Sequence, residues 1–384
     1  MMTGLTTTMA ILDYEGGNKV SEYFLMNKNS KLLLFRIAVD ELSQEYCEEI
    51  ERYSTLLPPS FGTIADWLDR RNYAKHKAHL QRWLKEWQLD TIKGFVEVTH
   101  ALGLNDTLWV RRADEALTWE QVSLYRNNFT DVVAKTAFSK GLQGLKLSST
   151  SPEFTSEGSF AKCWIRDKSG RIQLYKKGSE GFANAGLEPY SEYYASQLSE
   201  LICRSALSYD LRRFKGHLVS SCEIFTNEDE GFMPVYKYLD SSRSYRLAEV
   251  LSFMEQKGVG EDFRDMIVLD AVILNPDRHL GNFGFIVDNE TFSIKRFAPV
   301  FDHNMALAAR AMDSEDVEYA KSLGHKLGAD FVAAAKAMLT PRTRSILRQL
   351  QSFEFTRHKS YNLPAKRLRM LNALVQGQVR EILS

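Results

Sequence analysis

Between Leu269 and Gly284 the sequence reads Leu-Asp-Ala-Val-Ile-Leu-Asn-Pro-Asp-Arg-His-Leu-Gly-Asn-Phe-Gly. An apolar helix end gives way to a loop that holds an acid, Asp277, and five positions later an amide, Asn282. A second acid, Asp302, follows in Pro299-Val300-Phe301-Asp302, after strand-like runs at Phe283 to Val287 and Thr291 to Lys295 that read as a hairpin. Phosphoryl transfer needs a carboxylate to receive or orient a hydroxyl proton, and an amide oxygen and a second carboxylate to hold Mg²⁺ beside the departing group. The same residues could be an ordinary helix-to-strand loop, with Asp277 capping Arg278 or backbone amides and Asp302 ending a strand. A bare Asp-x-His-x-x-Asn pattern is only moderately specific; the order of loop, hairpin and later acid favours the chemistry. His279 reads as structural, because no second His lies three or four positions away to complete a metal pair.

The same chemistry requires a strand lysine for the α- and β-phosphates and a helix glutamate to orient it. Lys176 follows Ile172 and Leu174 on one face of a strand by period-2 alternation, with Lys177 as the fallback on the other face. Glu192 lies near the start of the next helix and can reach Lys176, whereas Glu188, before Pro189, reads as a helix-entry residue. The segment Phe154 to Phe160 precedes the first hairpin and has a single glycine, Gly158. Backbone N–H groups with Ser156, Ser159 and Lys162 would cradle phosphates there; the competing reading is a polar turn entering a strand.

The elements that must position these groups follow from periodicity. Residues 1–20 read as a tail. A hairpin at Tyr23 to Ile37 opens a mostly helical N-terminal region, with Thr63 as N-cap of a helix, a basic amphipathic helix over 73–89 and another helix from Ile92 to Trp109 stopped by Gly103. Turn formers between Lys140 and Thr155 mark a boundary. Beyond it, a hairpin at Phe160 to Ile165 and Arg171 to Lys176, a helix at Tyr190 to Cys203 and strands near 221–225 and 232–239 lead into helices from Leu247 onward. The expected division is 1–20, an accessory α+β domain at 21–147, an upper lobe at 148–240 and a helical lobe at 241–384. Lys+Arg 49 balances Asp+Glu 49, so no global field directs the chain to nucleic acid or an anionic membrane. Four scattered cysteines form no Cys-x-x-Cys pair and fit a reducing cytoplasm, and no apolar run reaches the roughly 18 residues of a membrane span.

Asn275-Pro276-Asp277-Arg278-His279-Leu280-Gly281-Asn282-Phe283-Gly284, taken with Pro299-Val300-Phe301-Asp302, resembles the HipA-type bacterial serine/threonine kinases. Those carry N-x-D-x-H-x-x-N-F in the catalytic loop and an apolar-x-Asp motif at the second metal site. The Asp-Arg-His-x-x-Asn form is also similar to phosphoinositide kinases and to cell-translocating bacterial kinases. The resemblance covers about residues 148–310. It implies an α+β, bilobal protein-kinase-like fold with an additional, mostly helical N-terminal domain unlike the HipA leader domain. It implies ATP and Mg²⁺ as cofactors, Asp277 as catalytic base, and Asn282 and Asp302 as Mg²⁺ ligands. Lys176 would contact ATP phosphates with Glu192 positioning it, strand Phe232 to Tyr238, including Tyr236, would supply the adenine hinge, and Ser156 or Ser159 would be autophosphorylated. The implied partners are a protein substrate with a Ser or Thr acceptor and an antitoxin or regulator docking on residues 21–147. A toxin or signalling role in the bacterial cytoplasm, or after translocation to a host cell, goes with them. Two other functions stay open. One is a phosphoinositide or small-molecule kinase using a basic C-terminal pocket of Arg342, Arg344, Arg348, Arg357, Lys359, Lys366, Arg367 and Arg369. The other is a DNA-binding regulator whose helices at 63–104 carry the function.

Overall fold

The structure is a computed structural model that describes residues 21–72, 90–129, 162–180, 185–240, 242–309, 311 and 314–384. The expected tail, the basic helix over 73–89, the boundary at 140–155 and the loop bearing Ser156, Gly158 and Ser159 lie outside the described residues.

Strands β1 (Ser21–Asn27), β2 (Ser30–Val39), β3 (Glu45–Arg52) and β4 (Leu108–Arg112) form an antiparallel sheet in the order β3-β2-β1-β4. Alternation divides its faces. Tyr23 opposes Phe35 and Leu25 opposes Leu33, and these side chains pack against Ile64, Trp67 and Leu68 of α1 (Ile64–Arg71) and Phe95 and Val96 of α2 (Ile92–Thr99). Thr63 and Asp66 close the capping box anticipated at the start of α1. Phe24, Met26 and Trp109 face the other way and meet Trp119 of the short helix α3 (Trp119–Val122) and Ile172 of the following unit.

Strand β3 is an element the sequence reading did not mark: it carries Glu45, Glu48, Glu49 and Glu51, charges that suit a sheet edge but hide its strand character. One expectation for this region is corrected. The second helix ends at His100 and does not run to Trp109. His100 and Ala101 both adopt positive φ (50° and 48°), and the His100 ring nitrogen Nδ1 lies 3.1 Å from the Val110 carbonyl, turning the chain into β4. The stop is therefore His100 and not Gly103.

The second unit begins with β5 (Lys162–Arg166), β6 (Ile172–Lys177), β7 (Asp210–Phe214) and β8 (His217–Glu223), ordered β5-β6-β8-β7, and with α4 (Glu188–Ile202) after β6. The Asp167 carboxylate accepts from the Ser169 and Arg171 amides and Gly170 takes φ 86°, which makes the β5–β6 turn. Strand β9 (Glu230–Pro234) leaves this sheet and pairs with β10 (Gly284–Asp288), which pairs with β11 (Ile294–Phe297). Beneath lie α5 (Leu247–Gln256), α6 (Gly260–Ile273), α7 (Ser314–Ser322), α8 (Phe331–Met338), α9 (Pro341–Gln349) and α10 (Ala365–Leu383). Helix α6 is apolar nearly all round and runs through the largest core, with Met266 to Ile273 buried without a break. Among the described residues no helix is long and apolar enough to cross a membrane.

The two units are joined by polar contacts around buried Trp119. Its indole N–H donates to Glu228, which also binds Arg126 at 2.9 Å, and Asn27 donates to the Asn289 carbonyl at 2.7 Å. Trp119→Ala removes the largest apolar side chain of this junction and leaves Glu228 one donor short. It is expected to cost about 3–5 kcal/mol, read as a lower urea midpoint; an unchanged midpoint would contradict the packing assigned to it.

Candidate active site

The cleft between the β5-β6-β8-β7 sheet and the β9-β10-β11 sheet encloses about 1190 Å³, its open mouth included. Lys162, Lys176, Asp277, Asn282 and Asp302 all line it. Lys176 comes from β6 and Glu192 from the second turn of α4. The Lys176 ammonium lies 2.8 Å from Glu192 Oε1 and 2.7 Å from Asp302 Oδ1, so the expected pair is made and a second acid shares it. Lys177 instead pairs with Glu180, and Glu188, the expected helix-entry residue, is buried where its carboxylate accepts from the Ser179 amide and hydroxyl.

Burial of these charges works against each of them, and their pairing decides the outcome. Burial disfavours the Lys176 cation, but Asp302 and Glu192 outweigh it and hold its pKa above the ordinary lysine value. Asp302 is likewise disfavoured by burial, yet Lys176 holds it ionised with a pKa well below the usual carboxylate range, helped by the charges of Lys162 and Arg278. Glu192, 1% exposed, is raised by its burial, which Lys176 opposes and the Asp302 charge reinforces. The three groups form one charge cluster, a carboxylate on each side of one ammonium.

The geometry of the loop that carries Asp277 and Asn282 follows from how α6 ends. Leu274 takes a left-handed conformation (φ 49°), and Pro276 then prevents further helix. The Asn275 amide donates to Asp270, while its side-chain oxygen accepts from the Asp277 amide at 3.2 Å. Asn282 donates its side-chain nitrogen to the Asp277 carbonyl at 3.1 Å, which leaves its oxygen as the acceptor available to a cation. His279 Nδ1 accepts from the Gly281 amide, the structural role expected of it, although it also lines the cleft.

Arg278, between these residues, is fully buried. It pairs with Asp270 of α6 at 3.0 Å and donates to the carbonyls of Asn282, at 3.1 Å, and Phe301. One guanidinium thus ties the loop of Asp277 and Asn282 to the loop of Asp302. That second loop is held from the other side by α4: Ser191 donates to the His303 and Ala306 carbonyls, both at 2.7 Å, and the His303 amide donates to Glu192. Asp302 itself sits at φ 63°, in the left-handed region that Asp enters more readily than most side chains, and its amide donates to the buried Tyr209 hydroxyl at 3.1 Å. It follows irregular chain and not the apolar strand expected, since β11 stops at Phe297.

Several contributors escaped the sequence reading. Lys326, after α7, places its ammonium 3.2 Å from Asp277 Oδ1. Phe225, Phe232 and Phe301 form a triangle of rings with centroids 5.4–5.6 Å apart at one end of the cleft. Tyr236 does not line the cleft: β9 ends at Pro234, and residues 235–238 form a 3₁₀ turn in which the Tyr236 amide donates to the Leu280 carbonyl. Residues 223–226, the last of β8 and the start of its linker to β9, line the cleft instead. A lysine far downstream and three scattered phenylalanines share no spacing that a sequence pattern could register.

The donor set suits a hard cation completed by other oxygens. Asp302 supplies one carboxylate and Asn282 one amide oxygen, the small protein contribution Mg²⁺ takes when phosphates and water fill the remaining positions. Among the described residues no group of three or more His, Cys, Asp or Glu converges on a metal-sized site. Two features of the C-terminal basic set bear on a pocket there. Arg342 is engaged by Asp265 at 2.7 Å, and Arg367 by the carbonyls of Ala308 and Ala311, while Arg344, Arg348, Arg357, Lys359, Lys366 and Arg369 are exposed.

No model of a known protein family matches the sequence, and no curated protein matches it. Solved structures do. The HipA toxin of Shewanella oneidensis MR-1, determined with HipB and its operator DNA, superposes over 94% of this chain and 99% of its own length, with a TM-score of 0.50 and 8% identity. The Helicobacter pylori proinflammatory kinase CtkA covers 59% of this chain and 90% of its own length, with a TM-score of 0.45 and 16% identity. The chain shares the α+β fold of that HipA structure. Because the superposition spans 94% of the chain, it takes in most of the N-terminal region, which the sequence had suggested was foreign to that architecture.

The buried Arg278–Asp270 pair makes a pH prediction. Burial opposes ionisation of Asp270, but Arg278 and His325 outweigh it and lower its pKa from 3.8 to about 2. A lowered folded pKa means that its contribution to stability is complete above the ordinary value and is lost as pH falls toward 2. Asp270→Asn is expected to cost about 3–5 kcal/mol at neutral pH and to flatten the loss of stability between pH 3.8 and about 2. Urea unfolding across that range checks both; parallel curves for the two proteins would contradict the pairing.

Proposed function

We propose that the chain is an ATP- and Mg²⁺-dependent kinase that phosphorylates a hydroxyl, with Ser or Thr of a protein as the acceptor. The observation that carries the reading is the convergence of Lys176, Glu192 and Asp302 in one charge cluster, on the same cleft as Asp277 and Asn282. When bound, ATP supplies the phosphoryl group and Mg²⁺ neutralises charge that develops on it. Lys176, held by Glu192, orients the nucleotide phosphates, and Lys162 adds positive charge at the same end of the cleft. Asp302 and Asn282 hold the cation through one carboxylate and one amide oxygen. Asp277 receives or orients the acceptor proton, and Lys326 steadies its carboxylate. The Phe225, Phe232 and Phe301 rings give the base an apolar floor, and residues 223–226 take the hinge role that Tyr236 was expected to fill.

Autophosphorylation of Ser156 or Ser159 belongs to this reading and is tested by mass spectrometry of the loop peptide after long incubation with ATP. The same holds for an antitoxin or regulator docking on residues 21–147. The use of Arg342 and Arg367 in internal contacts weighs against a basic lipid-headgroup pocket. The packing of α1 and α2 on their sheet likewise weighs against those helices as a DNA reader.

Incubation of the purified chain with labelled ATP and Mg²⁺ is expected to label protein on Ser or Thr. Asp277→Asn, Asp302→Asn and Lys176→Met are each expected to lower labelling by roughly 10²-fold or more, with chelation of Mg²⁺ abolishing it. Equal labelling of the wild type and all three variants would overturn the assignment.

A further inference from the structure

We propose that Asn105, a residue of the N-terminal unit, reads the purine edge of the nucleotide and sets a preference for adenine over guanine; this rests on the nucleotide reading of the cleft. Asn105 lines the same cleft as Lys176 and Asp302, although it comes from the loop between α2 and β4, remote in sequence from every other lining residue. It sits at the hinge end. The Phe232 amide donates to the Asn105 carbonyl at 2.7 Å, and the Leu104 carbonyl next to it accepts from the Thr226 and Tyr125 hydroxyls. Gly231 allows this approach, because a Cβ there would lie 2.6 Å from the Asn105 carbonyl oxygen. Asp106 anchors the other side of the loop through a two-pronged pair with Arg71, at 2.7 and 2.8 Å.

The backbone of Asn105 is thus fixed against β9, and that of Leu104 against Thr226 of the linker, while the Asn105 side-chain amide has no hydrogen-bond partner among the described residues. An amide offers one donor group and one acceptor. Adenine offers the complement on its N6/N7 edge, a donor beside an acceptor, and an asparagine pairs with both at once. Guanine offers two acceptors there, so the amide oxygen would meet O6 with no proton between them. Preorganisation of the loop makes that mismatch costly, since the side chain cannot retreat with its backbone.

The test is competition of ATP and of GTP, with Mg²⁺, against a fluorescent ATP analogue bound to the full chain. Wild type is expected to prefer ATP by about tenfold or more. Asn105→Ala is expected to bring the ATP/GTP ratio close to one, and Asn105→Arg, a side chain that pairs with guanine O6 and N7, to shift it toward GTP. The anchoring bonds use only the Asn105 main chain, so the fold should survive both changes, and unchanged thermal unfolding would verify this. A ratio in both variants equal to that of a wild type that binds ATP overturns the assignment. A wild type from which neither nucleotide displaces the probe overturns the nucleotide reading itself, and this assignment with it.

Discussion

The buried ion pair of Arg278 and Asp270 is the constraint on which the rest of the site depends. Both side chains are fully excluded from water, so neither charge is tolerable without the other and without hydrogen bonds for the remaining polar atoms. Those bonds are what give the pair its consequences. Asp270 lies on the most buried helix of the larger core and also contacts His325 and Asn275, while Arg278 reaches the Asn282 and Phe301 carbonyls. A helix, the loop at 275–282, the loop of Asp302 and the chain after α7 therefore share one polar node. Asp277 and Asn282 on one loop and Asp302 on another keep their relative places because a single planar guanidinium spans both.

A second layer of positioning comes from above. Lys176 belongs to the upper sheet and Glu192 to α4, yet both bind, directly or through the His303 amide, to the segment at 302–303. The N-terminal unit adds a third support: Leu104 holds Thr226 of the linker between β8 and β9, and Asn105 holds Phe232 of β9. The cleft is thus composite, lined by parts that begin at Asn105 and end at Asn304, and its charged end and apolar end are held by different units.

The sequence displayed the residues that converge on the cleft more openly than the architecture. Asp277, Asn282 and Asp302 were legible because spacing within one loop and the order of hairpin and acid survive translation into structure, and Lys176 with Glu192 followed from strand alternation and helix position. Tyr236 was misplaced because β9 gives out at Pro234 and its neighbour in the sheet is β10, a pairing no local pattern reveals. Strand β3 was concealed by its glutamates, and the helix after Thr91 was read too long because a left-handed His100 is a rarer stop than glycine. Lys326 and Asn105 illustrate the general limit: one reaches the Asp277 carboxylate and the other the cleft wall through tertiary folding alone, from segments with no motif of their own.

The central claim, that this cleft binds a nucleotide through a cation held by Asp302 and Asn282, is tested most directly by calorimetric titration of ATP into the full chain with and without Mg²⁺. The account predicts one site per chain, with affinity strengthened by Mg²⁺ in the wild type and with that strengthening largely absent when Asp302 is replaced by Asn. ATP binding that is insensitive to Mg²⁺, or no binding at all, would contradict it.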